Sequence, residues 1–132
     1  MKVQSIEKDG QIIAQIFDLR ELTESVFPTP PQLPMQFGAS VLNVDWTSKA
    51  HIHKSVSRHI IGTPEFIFLM KGSLEATLFS DDHSVMGTFV LTSNMALLQF
   101  SGGHELKFRK GTSYFEIKQG PYLGRDTDKY DL

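Results

Sequence analysis

Four residues in this chain have the types and spacing to share one chemical task. His51 and His53 are separated by a single residue in AHIHKS. On an extended strand, residues two apart face the same side, so both imidazoles can converge on one point. Glu65 heads the apolar run EFIFLM and is followed, after six residues, by Gly72. A carboxylate inside an apolar layer needs a cation or a hydrogen-bond donor. His104 stands in SGGHELKF behind two glycines, which permit left-handed backbone and a close approach. Together these side chains make an open nitrogen and oxygen set suited to a first-row ion such as Fe, Mn, Ni, Cu or Zn. The plain alternative for each is a solvated residue at a strand end or turn.

Other side chains are candidates to hold a ligand. Arg58 offers a planar fork for a carboxylate or phosphate, or a simple surface charge. Tyr114, Glu116 and Lys118 alternate with Phe115 and Ile117 and so share one strand face. That face is either solvated or turned into the interior, where Glu116 and Lys118 form an acid–base or ligand-orienting pair. Tyr122, after Gly120-Pro121, is placed to cover a site or to anchor the tail. His59 and His83 read as solvent or rim residues.

The elements that must position these groups read as strands. Val3–Ile6 and Gln11–Phe17 flank Asp9-Gly10, a hairpin signal. A short helical turn is expected within Asp18–Val26. FPTPPQLP then packs four prolines into eight residues, an extended connector within the domain. Strands are expected over Met35–Val44, His51–Lys54, Glu65–Met70, Ser73–Phe79, Thr88–Leu91, Met95–Phe100, Glu105–Phe108 and Tyr114–Gln119. About ten short strands with Gly or Asp turns imply an all-β sandwich or barrel. The chain divides as hairpin and connector (1–34), barrel (35–119) and irregular tail (120–132), in one domain.

Composition narrows the function classes. The 132 residues carry 13 Lys+Arg against 15 Asp+Glu, so no basic surplus points to nucleic acid or an anionic membrane. There is no cysteine, which removes disulfides, thiolate metal sites and cysteine nucleophiles. The apolar run Phe66–Met70 is too short to cross a bilayer, and residues 1–20 lack the pattern of a signal peptide; the cytoplasm is the expected location. No phosphate-cradling glycine loop and no GxSxG elbow is present. Ten Phe suggest a core built on aromatics.

With His51-x-His53, Glu65-x6-Gly72 and His104 in a glycine-rich turn, the chain resembles the cupins, small β-barrels with a metal or ligand site in the mouth. GTPE, SGGHELKF and EIKQGPYLGRDTDK resemble a group of small single-domain cupins whose members are mostly uncharacterised. The resemblance covers roughly residues 35 to 128. It implies a cupin-type jelly-roll barrel of short antiparallel strands with an N-terminal hairpin, a divalent ion (Fe, Mn, Ni or Zn) on His51, His53, Glu65 and His104, and a homodimer. The chain departs from the family pattern at Asp45, where a glycine is usual, and in the eleven residues between His53 and Glu65. In the second motif it departs at Gln99, Ser101 and Phe108.

Three functions fit these residues. One is a metal-dependent small-molecule enzyme, an isomerase of a sugar-like polyol or an oxygenase, with Glu116 or Lys118 moving protons. Another is a non-catalytic barrel that binds or senses a sugar or small acid, with or without metal. The last is a structural domain that uses an apolar patch between Phe27 and Phe37.

Overall fold

A computed structural model describes residues 1–132. Eight strands form: β1 (Lys2–Lys8), β2 (Gln11–Asp18), β3 (Glu65–Lys71), β4 (Ser73–Phe79), β5 (Val85–Thr92), β6 (Met95–Gln99), β7 (Gly103–Phe108) and β8 (Ser113–Lys118). One helical turn, α1 (Arg125–Asp128), lies in the tail. The strands make two antiparallel sheets, ordered β1-β2-β6-β3-β8 and β5-β4-β7. No strand of one sheet pairs with the other, so the molecule is a two-layer β structure and not a closed barrel. No helix is long and apolar enough to cross a membrane.

The turns follow from their residues. Asp9 and Gly10 both have positive φ, +50° and +77°, which suits a two-residue hairpin between β1 and β2. Gly72 has φ +90° and is the single residue between β3, in the large sheet, and β4, in the small one. A side chain at Gly72 would collide with Thr112, whose hydroxyl bridges to the backbone of Ser73. The glycine that closes Glu65-x6-Gly72 is therefore the corner where the chain changes sheets.

Strand alternation buries one side of each layer against the other. Ala14, Ile16, Ile67, Leu69 and Leu97 of the large sheet meet Leu74, Ala76, Leu78 and Leu91 of the small sheet in one cluster. The far side of the small sheet is polar, with Lys107 between Glu75 and Glu105 and a Thr77–Thr88 hydroxyl pair at 2.9 Å. The far side of the large sheet is apolar. Phe17, Ala96, Leu98 and Phe100 are buried there beneath Leu33, Met35 and Phe37 of the proline-rich connector. Phe37 stacks on Phe17, ring centres 4.1 Å apart, and on Phe66 at 5.7 Å. The connector thus hugs the domain, and the aromatics form its second layer.

Three expected elements do not form. Met35–Val44 is not a strand; only Ala39 makes a bridge, to Val26. Its Met35 and Phe37 pack across the large sheet instead of extending along an edge. His51–Lys54 is irregular and exposed, with Ile52 94% accessible. A run with one apolar residue and no neighbour to pair with has nothing to hold it as a strand. Residues 18–26 form no helix, only one hydrogen-bonded turn from the Leu22 amide to the Leu19 carbonyl at 3.1 Å; Asp18 ends β2 and accepts hydrogen bonds from Arg20.

Candidate functional site

The inner face of the large sheet changes character at one end. Residues directly opposite in antiparallel strands share a face. One inner row reads Ile16, Leu97, Ile67 and Glu116 from β2 to β8. The next row reads Ala14, Gln99, Glu65 and Lys118. Across the gap, His104 of β7 sits opposite Leu78 of β4, whose side chain is buried in the core. Glu116 and Lys118 therefore lie on the inner face, the orientation that the alternation of β8 left open. Four strands from both sheets bring Gln99, His104, Glu65, Lys118 and Glu116 to one mouth of the sandwich.

The contacts in this mouth form a chain. Gln99 is 5% accessible, and its Nε2 donates to the carbonyls of Ser101 (2.9 Å) and Gly103 (3.0 Å). Both amide hydrogens are thereby used, so Gln99 Oε1 is an acceptor. It lies 2.7 Å from His104 Nδ1, which must then carry a proton and donate. Nε2 of His104 is left facing Glu65 Oε2 at 3.5 Å. The other Glu65 oxygen is 3.8 Å from Lys118 Nζ, and Lys118 is 2.8 Å from Glu116 Oε1. The hydrogen bond that Lys118 donates to Glu116 raises the Lys118 pKa, and the charges of Glu116, Glu65 and Tyr122 add to it against burial. Lys118 is thus a fixed ammonium at neutral pH, a donor and not a base.

Backbone geometry sets His104 in place. Gly102 has φ +74°, and a side chain there would overlap the Phe79 carbonyl. Its amide donates to Asp81 Oδ1 at 2.9 Å. The first glycine of GGH is thus demanded by the turn that delivers His104 to the mouth.

The other expected site residues lie elsewhere. His51 turns its Nδ1 to the Lys49 carbonyl at 2.8 Å and meets the His53 ring edge-on at 5.2 Å. Both are exposed on the irregular segment before Glu65. No three His, Asp or Glu side chains are grouped so as to hold a metal ion. The four expected ligands form two separate pairs, His51 with His53 and Glu65 with His104, and Lys118 places a competing cation on the carboxylate. As arranged, these residues do not fit a complete metal site.

Tyr114 lies opposite Leu69, towards the other end of β8, and stacks on Phe108 at 4.3 Å. It closes the gap between the sheets and does not reach the mouth. Arg58 and His59 line a different cleft. Tyr122 is 70% accessible, near enough to Lys118 to affect its charge. His83 occupies a turn at φ +67° and contacts the Tyr130 hydroxyl at 3.0 Å.

Gln99 was visible in sequence only as a departure from a motif. Its signal was a glutamine ending the apolar run MALLQ, where a strand in a core has no packing use for an amide. Comparison with family models, with curated proteins and with solved structures finds no match to this chain.

Proposed function

We propose that this protein is a cupin-like small-molecule-binding sandwich whose mouth takes a hydroxyl-rich polar molecule, a sugar or sugar derivative. The observation that carries this reading is the abrupt change of the inner face from Leu97 and Ile67 to Gln99 and Glu65, joined by His104, Lys118 and Glu116. A core has no packing reason for that change. A hydroxyl both donates and accepts, so a polyol can satisfy two carboxylates, an ammonium and an imidazole nitrogen at once. Binding is the core of the proposal, and turnover is a further step. In that step His104 Nε2 would receive a proton from a ligand hydroxyl, with the Glu65 carboxylate stabilising the imidazolium.

The test is titration of isotope-labelled protein with a panel of neutral hexoses and pentoses at millimolar concentration. Shifts centred on Glu65, Gln99, His104 and Lys118, abolished in a Glu65→Gln/Lys118→Met variant that still folds, are expected. An unresponsive mouth with every sugar, or equal shifts in the double variant, would sink the proposal.

A metal-dependent enzyme is the second reading. It is favoured by the His104 tautomer, which turns Nε2 towards the same space as a Glu65 oxygen. It needs His51 and His53 to join them, so residues 47–61 would have to fold over the mouth. Metal content of chelator-free protein decides it. Near-stoichiometric metal lost in both His51→Ala and His104→Ala supports this reading, and protein that takes up none of Fe, Mn, Ni or Zn ends it. The resemblance also implies a homodimer, for which the free outer edge of β1 would serve a second copy. Light scattering at micromolar concentration should then give twice the chain mass, and a monomeric mass would remove this part.

A further inference from the structure

A second concavity, lined by none of the mouth residues, opens on the other side of the large sheet. It is a cleft of about 920 Å³ formed by the β1–β2 turn, the proline-rich connector, residues 58–61 and the chain just after β6. Its apolar surface comes from Ile12, Leu33, Ile60, Ile61 and Phe100. Ile12, Leu33 and Phe100 belong to the aromatic layer outside the sheet. Its polar surface includes Arg58, His59 and the neutral amides of three glutamines, and no carboxylate lines it.

Both basic side chains lack an acidic partner. Arg58 makes one long hydrogen bond, from Nη1 to the Val56 carbonyl at 3.4 Å. It takes part in no salt bridge, although most of its donors are free. A guanidinium with open donors beside an apolar hollow matches one chemistry: a flat anionic head on a hydrocarbon body. The cleft lies within the size range of small-molecule pockets.

We propose that this cleft is a second binding site, for an amphipathic carboxylate, with Arg58 gripping the carboxylate, His59 beside it and the chain or ring lying over Ile12, Leu33 and Phe100. The site is independent of the mouth, since Glu65 and Lys118 take no part. A neutral polyol would leave the Arg58 charge without a counter-charge, so the two sites take different ligands.

The probes are octanoate, acetate and 1-octanol, each titrated into full-length labelled protein. Octanoate should shift the amides of Gln11, Leu33, Gln36 and Ile60, while acetate, without the apolar body, should bind at least tenfold more weakly. 1-Octanol, without the charge, should also lose tenfold or more. Arg58→Gln, at an exposed position outside every strand, should weaken octanoate about tenfold or more, the loss of a charge-assisted pair. Glu65→Gln should leave octanoate binding unchanged. Octanol binding as tightly as octanoate, an Arg58→Gln variant of undiminished affinity, or shifts that centre on His104 would each overturn the proposal. Sugar binding at the mouth is read with other ligands and through other residues, so the two proposals fail separately.

Discussion

The two faces of the five-stranded sheet are made by alternate residues of the same strands, yet they are finished in different ways. The inner face is covered by a second sheet, locked to the first through the corner at Gly72. The outer face is covered by a connector without regular structure, which contributes Leu33, Met35 and Phe37. Inside, every buried polar side-chain atom has a partner, down to the amide of Gln99. Outside, Gln15 Oε1 is buried with none. A sheet-on-sheet interface fixes many side chains at once, whereas a strap fixes only those its few anchors touch. This difference explains why the inner face can hold a precise polar cluster and the outer face a loose, roomy cleft.

Truncating one anchor on each side measures the contrast. Leu97→Ala opens a cavity in the middle of the inner core, where Leu97 is 1% accessible, and should cost about 3 kcal/mol. Phe37→Ala removes a larger side chain, but the strap can collapse over the gap, so about 2 kcal/mol is expected. Urea midpoints give both numbers. A Phe37→Ala loss well above that of Leu97→Ala would mean that the strap is a structural layer equal to the second sheet.

The same contrast marks what could be read from sequence. Strands β3 to β8 and the N-terminal hairpin were legible because short apolar or alternating runs ended in turn residues, Asp9-Gly10, Gly72 and Gly102 among them. The connector was legible because prolines exclude helix and central strand. Met35–Val44 and His51–Lys54 misled, since residues such as Leu42 and Val44 alternate as a strand would, yet no strand pairs with either run. Alternation states which face a residue would take; only a neighbouring strand makes it take one. For the site, Glu65 and His104 were legible as members of a set of four with His51 and His53, and alternation along β8 does not by itself choose the face of Glu116 and Lys118; the register does. His51 and His53 share spacing with each other, but their distance from Glu65 depends on the path of eleven intervening residues, which local pattern does not fix. Gln99 was legible only as a departure from the second motif, because an amide carries no charge to mark it as part of a site.

A smaller effect tests the rim where inner and outer coverings meet. Asp18 ends β2 and accepts hydrogen bonds from Arg20 Nε at 2.8 Å and the Arg20 amide at 3.1 Å. The hydrogen bond from Arg20 holds the Asp18 carboxyl at about 2, below the ordinary 3.8. Because the folded value is the lower one, the stabilisation is complete above the unfolded pKa. It fades as the pH falls from about 5 towards 2. Solvent screening limits it to about 1 kcal/mol. Urea midpoints of the wild type and Asp18→Asn at pH 7 and pH 3 should differ by that amount at the higher pH and by about half of it at the lower, which lies between the folded and unfolded values. A constant difference would assign the effect of Asp18 to backbone capping alone.

The smallest expected change in stability carries the most weight for function. Glu65→Gln keeps the shape of the side chain and removes its charge. Lys118 retains Glu116 at 2.8 Å, and Gln99 still holds His104, so no buried group is stranded. The loss should stay within about 0.5 kcal/mol, the range of a replaceable and partly exposed pair. If instead Glu65→Gln destabilises as much as Leu97→Ala, the carboxylate is a strut between the sheets, and its polarity is explained without any ligand. If stability holds while the response of the mouth to sugars disappears, the row of Gln99, Glu65 and Lys118 is a surface kept polar against the packing interest of the core, and binding is the interest it serves.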